Sequence, residues 1–175
     1  MSEYKLGKII FTKEEIENRA IEIAERISED YKGESVILVG ILRGAVIWLT
    51  QVLQSIDLDV EIDFMAVSSY GDATKTSGVV KINKDLEGSI EDRNVIIVED
   101  IVDTGVTLAY LVEYFKAKNP KTVRVCSLLE KPSRRLVPVK IDYLGFEVGD
   151  EFIVGYGLDI AQKFRNLPYI TSLVE

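Results

Sequence analysis

Three short runs of apolar residues, each flanked by residues that favour turns, limit the folds open to this chain. The runs cover residues 35–41, 94–98 and 122–129. A continuous apolar run of this length is typical of a strand buried on both faces of a parallel sheet. Helical patterns separate the runs, and strands that alternate with helices predict an α/β fold. We therefore expect a mainly parallel central sheet flanked by helices.

Three helices are predicted, one before the first run and two between the runs. Thr12 and Glu15 have the spacing of a capping box, which marks the start of the first helix. Apolar residues then recur at helical spacing: Ile16, Ala20, Ile23, Ala24 and Ile27. The second helix is expected over residues 45–56, with Trp48 on its apolar side, and the third over 106–118.

A fourth strand and a long polar segment lie between the second helix and the strand at 94–98. In the strand, over residues 60–67, we expect one apolar face and one polar face. The apolar face would hold Val60, Ile62, Phe64 and Ala66, and the other face Glu61, Asp63 and Met65. Residues 68–92 are rich in Ser, Gly, Thr, Asp and Lys, and a long polar segment in a compact domain is usually functional or disordered. A short hairpin on a mobile loop would fit it.

The composition excludes several kinds of chemistry and favours one domain, residues 1–175. The chain has no histidine, so histidine triads and histidine zinc sites are excluded, and acid–base work falls to other groups. Its one cysteine, Cys126, lies in an apolar run and is interpreted as a buried thiol. The net charge of −8, without a lysine or arginine run, argues against nucleic acid as the main partner. Neither a signal peptide nor a membrane span is apparent, so we expect the cytoplasm.

The segment 95–107 offers acceptors and donors side by side. A buried strand delivers Glu99 and Asp100 at its carboxyl end, where open α/β sheets bind ligands. A turn with Asp103, Thr104, Gly105 and Thr107 follows, and a helix begins at once. The amides at the start of that helix suit an anion, and a sugar phosphate needs this combination of groups. An ordinary strand-to-helix turn with acidic capping residues would show the same residue types.

This segment resembles the motif with which type I phosphoribosyltransferases bind 5-phosphoribosyl-1-pyrophosphate (PRPP). The shared pattern is an apolar strand, two acidic residues, two apolar residues, Asp-Thr-Gly and a nearby threonine. Further segments are similar to the hypoxanthine and hypoxanthine-guanine branch of that family, especially its bacterial members: residues 42–44, 69–71, 129–135 and 152–159. The resemblance covers nearly the whole chain. One departure is Val106, where some members carry a lysine, and it puts in doubt only that extra charge and any regulation linked to it.

The resemblance implies a magnesium-dependent enzyme of purine salvage. It would transfer the phosphoribosyl group from PRPP to N9 of hypoxanthine or guanine, giving IMP or GMP and pyrophosphate. The family fold adds a small hood, here expected from the N-terminal segment and roughly residues 130–175. A flexible loop over roughly 68–92, with Ser69 and Tyr70, would close over the site. Family members are usually homodimers or homotetramers, and their partners are PRPP and a 6-oxopurine, not nucleic acid.

By the same resemblance, Glu99 and Asp100 would hold the ribose hydroxyls, partly through Mg²⁺. The turn would wrap the 5-phosphate with Asp103, Thr104, Gly105, Val106 and Thr107, and Asp103 would also be the general base near purine N7. Arg43 and Gly44 would lie beside the pyrophosphate, after a non-proline cis peptide bond between Leu42 and Arg43. Arg165 would contact the pyrophosphate, although a surface salt bridge would also explain an arginine there.

The resemblance also assigns residues to the purine. Lys131 would contact the oxygen at C6, whereas the alternative is an exposed loop lysine. Phe152 would stack on the base, although an aromatic residue in an apolar run is normally core. The backbone of Ile153 would read the purine edge. Asp159, also near the base, would bind a second Mg²⁺ directly or through water.

Two other functions stay open on the sequence. Xanthine preference is one, because only a few contacts at purine C2 separate these specificities. The other is an RNA-binding regulator on the same fold, similar to the attenuators of pyrimidine operons. Such a regulator would need a basic face, and the acidic composition and Lys131 weigh against it.

Overall fold

The expected strands and helices are present in the computed structural model, which describes residues 4–69 and 80–174. In chain order the elements are β1 (Lys5–Phe11), α1 (Lys13–Asp30), β2 (Ser35–Leu42), α2 (Val46–Leu53), β3 (Asp59–Ser69), β4 (Val80–Lys84), β5 (Asn94–Val102), α3 (Val106–Lys116), β6 (Thr122–Glu130), a 3₁₀ turn (Pro132–Arg134), β7 (Tyr143–Glu147), β8 (Ile153–Val154) and β9 (Ile170–Val174). Among the described residues, no helix is both long and apolar enough to cross a membrane.

The central sheet has six strands in the order β4-β3-β2-β5-β6-β7. Strands β3, β2, β5, β6 and β7 run parallel, and β4 pairs antiparallel with β3 at one edge. The predicted mainly parallel α/β sheet is therefore confirmed. Because β2, β5 and β6 are parallel neighbours, their carboxyl ends meet at one edge of the sheet.

Helices cover both faces of this sheet, which explains the continuous apolar runs. Val36 and Leu38 of β2 pack in a cluster with the buried residues of α1 and α2. Ile37 and Val39, which point to the opposite face, pack in a second cluster with the buried residues of α3. A strand with both faces covered shows no polar alternation.

The first helix begins where its capping box predicts. The Glu15 amide donates to Thr12 Oγ1 at 3.2 Å, and the Thr12 amide donates to Glu15 Oε2 at 2.8 Å. The five apolar positions predicted to face the core are all buried. Helices α2 and α3 end at Leu53 and Lys116, a few residues before the predicted ends.

The expected two-faced pattern of β3 is wrong at two positions. Met65, placed on the polar face, is completely buried, whereas Ile62 on the predicted apolar face is 47% exposed. Met65 packs in the cluster beneath α3 together with Ile37 and Val39. The carboxyl half of β3 is thus covered on that face as well, and alternation stops reporting burial there.

A second, smaller sheet joins the two ends of the chain and forms the hood. Its order is β1-β9-β8, with antiparallel pairing throughout. Ile153 and Ile170 pack in the same cluster as α1, so the hood rests on that side of the central sheet. Strand β7 departs from the expected hood range of 130–175, because it pairs with β6 and extends the central sheet.

Candidate active site

The loop after β2 packs directly against the carboxylate at the end of β5. The peptide bond between Leu42 and Arg43 is cis, as the resemblance implies. A Cβ on Gly44 would overlap the Asp100 carboxylate, and a Cβ on Gly157 would overlap the Gly44 carbonyl. Only glycine permits these approaches, so three separate parts of the chain meet at one point.

Glu99 and Asp100 are carboxylates that burial holds away from water. Burial raises the pKa of Glu99 well above its usual range, and the neighbouring charge of Asp100 adds a smaller effect in the same direction. Burial also raises the pKa of Asp100 to about 6, although the Ile101 amide donates to its Oδ1 at 2.7 Å. Arg165 opposes this shift and Asp159 adds to it. Two desolvated carboxylates at a strand end suit a ligand that brings hydroxyl donors or a cation.

These two carboxylates suit Mg²⁺ as a ligand pair. Mg²⁺ usually takes one or two protein carboxylates and completes its octahedron with water and substrate oxygens. Across residues 4–69 and 80–174, no three Asp, Glu or Cys side chains form a group that could hold a metal. Asp159, which was predicted to bind a second Mg²⁺, has two partners of its own: its Oδ1 lies 2.9 Å from Arg165 Nη2, and its Oδ2 accepts from the Gln162 amide at 2.7 Å.

The turn after β5 encloses a small cavity at the start of α3. The cavity has a volume of about 120 Å³, and its lining includes Glu99, Asp103, Thr104, Gly105 and Thr107. Gly105 has a φ of +83°, and α3 begins at the next residue, Val106. The first amides of a helix and two threonine hydroxyls thus surround a space suited to one anion. The structure brings Asp103, Thr104, Gly105 and Thr107 together around this cavity, whereas Val106 does not line it.

Asp103 has a partner that the sequence did not reveal. Its Oδ1 lies 2.9 Å from Nε of Arg134, which belongs to the 3₁₀ turn after β6. Arg134 stands in a segment used for the resemblance, but an arginine in a polar loop gives no sign of which carboxylate it meets. Only the folded chain places it beside the phosphate turn.

Lys131 is buried, so the alternative of an exposed loop lysine is wrong. Its side chain is at the end of β6 with a residue exposure of 6%, and Nζ donates to the Glu151 carbonyl at 2.8 Å. Ile153 is buried in β8, whereas Phe152, between Glu151 and Ile153 in the chain, is 53% exposed. The alternative of a core aromatic is therefore also wrong. The exposed Phe152 ring thus lies in the chain between Glu151, whose carbonyl accepts from the Lys131 ammonium, and the buried Ile153 of β8.

Two arginines converge on a glutamine beside the glycine contact. Arg43 Nη1 donates to Gln162 Oε1 at 3.0 Å, and Arg165 Nη2 donates to the same oxygen at 3.1 Å. Arg165 Nη1 also donates to the Gly157 carbonyl at 2.7 Å. The predicted salt-bridge alternative for Arg165 is thus partly right, since it pairs with Asp159, yet the site keeps two guanidinium groups close to Gly44.

Sequence reasoning missed Gln162 and Gly157 as parts of this site. Both adopt positive φ, at +65° and +100°, in the connection before β9. Of the two predicted lid residues, Ser69 ends β3 and pairs with Val80 of β4. Tyr70 lies outside the described residues, as do the other residues of the predicted loop up to 79.

Comparison with known proteins gives a consistent result. A model of the phosphoribosyl transferase domain matches residues 8–161. The hypoxanthine-guanine phosphoribosyltransferase of Bacillus subtilis is 44% identical over 173 residues, covering 99% of this chain and 96% of the relative.

Solved structures agree with this match. A crystal structure of the hypoxanthine-guanine phosphoribosyltransferase of Bacillus anthracis, with a HEPES molecule in its active site, superimposes with a TM-score of 0.94 at 42% identity. The match covers 97% of this chain and 100% of the Bacillus anthracis chain. A hypoxanthine phosphoribosyl transferase of Trypanosoma cruzi superimposes with a TM-score of 0.93 at 36% identity, covering 99% and 94%.

Proposed function

This chain belongs to the phosphoribosyl transferase family, in its hypoxanthine-guanine branch, and from that premise we propose how its residues perform the reaction. The enzyme transfers the 5-phosphoribosyl group from PRPP to N9 of hypoxanthine or guanine and releases pyrophosphate. The observation that supports the residue roles best is the pair of desolvated carboxylates beside an anion-sized cavity.

PRPP occupies the edge where the ends of β2 and β5 meet. Its 5-phosphate lies in the cavity at the start of α3, where helix amides and threonine hydroxyls donate to it. Glu99 and Asp100 accept from the ribose hydroxyls. The pyrophosphate lies near Gly44, where Arg43 and Arg165 supply positive charge.

Mg²⁺ is the cofactor that this arrangement favours. Glu99 and Asp100 would hold it, and its charge would stabilise the departing polyanion. Arg165 and the amides of the loop after β2 share that task. Asp159 would bind a second Mg²⁺ directly or through water, and it also pairs with Arg165.

The purine lies between Phe152 and the end of β6. The exposed ring of Phe152 stacks on the base, and the ammonium of Lys131 donates to the oxygen at C6. A cation at that position favours an acceptor and rejects the amino group of adenine.

In the reaction, a bond forms between purine N9 and ribose C1, and the bond from C1 to the pyrophosphate oxygen breaks. The proton at N7 passes to Asp103, which lies at the turn between the sugar site and the base site. A carboxylate suits this role in a chain without histidine.

The Asp103→Asn variant tests whether Asp103 is the general base. An amide keeps the shape of the turn but cannot take the proton, so we expect kcat to fall about 100-fold or more while IMP binds nearly as well as before. Initial rates and IMP titration by calorimetry measure the two effects. Equal losses in turnover and IMP affinity would remove Asp103 as the base.

We also propose a homodimer or homotetramer. The Trypanosoma cruzi relative was studied for its oligomeric state, which supports the expectation only by similarity. Sedimentation at micromolar concentration should show a species of at least twice 19.7 kDa, and a single 19.7 kDa species would contradict it.

A further inference from the structure

Residues 131–137, which we term the strap, donate backbone hydrogen bonds to the phosphate turn and to the end of β5. The Leu136 and Val137 amides both donate to the Thr104 carbonyl, at 2.9 and 3.1 Å. The Lys131 amide donates to the Val102 carbonyl at 2.9 Å. A Cβ on Gly105 would lie 2.6 Å from the Val137 carbonyl oxygen, so the two segments are in close contact. The turn is therefore held in place by the strap as well as by its own sheet and helix.

The two arginines of the strap have different partners. Arg135 pairs with Glu130 at 2.7 Å, and both side chains are 17% exposed, so this pair joins the strap to the end of β6. Arg134 extends instead to Asp103, with Nε at 2.9 Å from Oδ1. Its Nη1 lies 3.6 Å from Asp150, next to the residue whose carbonyl accepts from Lys131. Arg134 thus spans the phosphate turn and the loop that carries the base site.

We propose that Arg134 is a positioning residue for Asp103, an inference that rests on the proposed role of Asp103 as the base. Both side chains are close to half exposed, at 48% and 43%, and an exposed pair of this kind contributes little to stability. Its effect is geometric: the guanidinium lies 2.9 Å from Oδ1 and holds that buried oxygen by charge, without a hydrogen bond to it, which leaves Oδ2 to accept the proton. Proton transfer depends on such alignment, because small displacements of a reacting group lower the rate strongly.

The Arg134→Met variant removes the guanidinium and keeps most of the aliphatic volume. We expect kcat to fall about 10-fold, with the KM for PRPP changed less than about 2-fold. Arg134→Lys should recover part of the lost kcat, because an ammonium can still reach Asp103. Arg93→Met is the matched control, since Arg93 forms a similar pair with Glu61 at 2.6 Å but precedes β5, at the opposite end from the site.

A double-mutant cycle with Asp103→Asn decides between positioning and general support of the turn. If Arg134 acts through the Asp103 carboxylate, Arg134→Met should have almost no further effect on kcat in the variant that already carries Asp103→Asn. An undiminished loss in that background would overturn the inference, and so would a raised KM for PRPP with unchanged kcat. Failure of the proposed function looks different, because the unmodified enzyme would then show no transfer to any 6-oxopurine.

Discussion

Replacing Gly44 with alanine tests whether the loop after β2 and the carboxylate of Asp100 form one unit. The added methyl group would overlap the Asp100 carboxylate, whose oxygen lies well inside contact distance of the Cβ position. Backbone on one side and a buried side chain on the other leave little room to adjust. We therefore expect Asp100 to move, and with it the acceptor proposed for the ribose hydroxyls.

The structure sets the size of the effect. Overpacking of this kind costs about 1–3 kcal/mol of unfolding free energy, which lowers the Tm of a chain of this length by about 2–12 °C. A hydrogen bond to a charged group contributes about 1.5–3 kcal/mol, so its loss should lower kcat/KM for PRPP about 10- to 150-fold. The KM for the purine should change much less, because Lys131 follows β6 and Phe152 precedes β8, away from the loop that carries Gly44.

Gly88→Ala is the matched control, because a Cβ there would meet no atom within 4 Å. Calorimetry gives the Tm of both variants, and initial rates at saturating hypoxanthine give kcat/KM for PRPP. Gly44→Ala should differ from the control in both measurements. If the two variants had the same Tm and the same kcat/KM, the close packing of Gly44 on Asp100 would be refuted.

Two further predictions concern the carboxylate pair and the base site. Because burial raises the folded-state pKa of Asp100 to about 6, the folded protein binds this proton more tightly than the unfolded chain. Wild type should therefore lose about 3 kcal/mol of stability from this group as the pH rises from about 4 to 6, whereas Asp100→Asn should lack that loss. Urea unfolding of both proteins without Mg²⁺ checks this, and parallel pH profiles would contradict it. Phe152 is half exposed, so Phe152→Ala should leave the Tm nearly unchanged. The loss of stacking should raise the KM for hypoxanthine about 5- to 150-fold. An unchanged KM would exclude the stacking role.

Much of the sheet could be predicted because burial on both faces leaves a clear mark on a strand. The runs at β2, β5 and β6 were recognised for that reason, and the capping box marked the start of α1. The phosphate turn was also predictable, since its acidic, hydroxyl and glycine residues are consecutive in the chain. Local patterns of this kind depend on neighbours in sequence.

What depends on distant neighbours could not be predicted. The burial of Met65 follows from elements packed across the sheet, and period-two alternation does not report them. The pairing of Arg134 with Asp103 joins two connections that follow different strands. Likewise, Gly157 and Gln162 become part of the site only when the connection before β9 folds against Gly44. Tertiary contacts of single polar residues leave no periodic signal.

An initial-rate assay with PRPP and Mg²⁺ tests the central claim most directly, with hypoxanthine, guanine, xanthine, adenine and uracil offered separately. The buried ammonium of Lys131 predicts rapid nucleotide formation from hypoxanthine or guanine and very little from adenine or uracil. The ratio of the rates with hypoxanthine, guanine and xanthine then gives the preference among 6-oxopurines. Turnover of adenine or uracil at the rate of hypoxanthine, or no turnover with any base, would contradict the account.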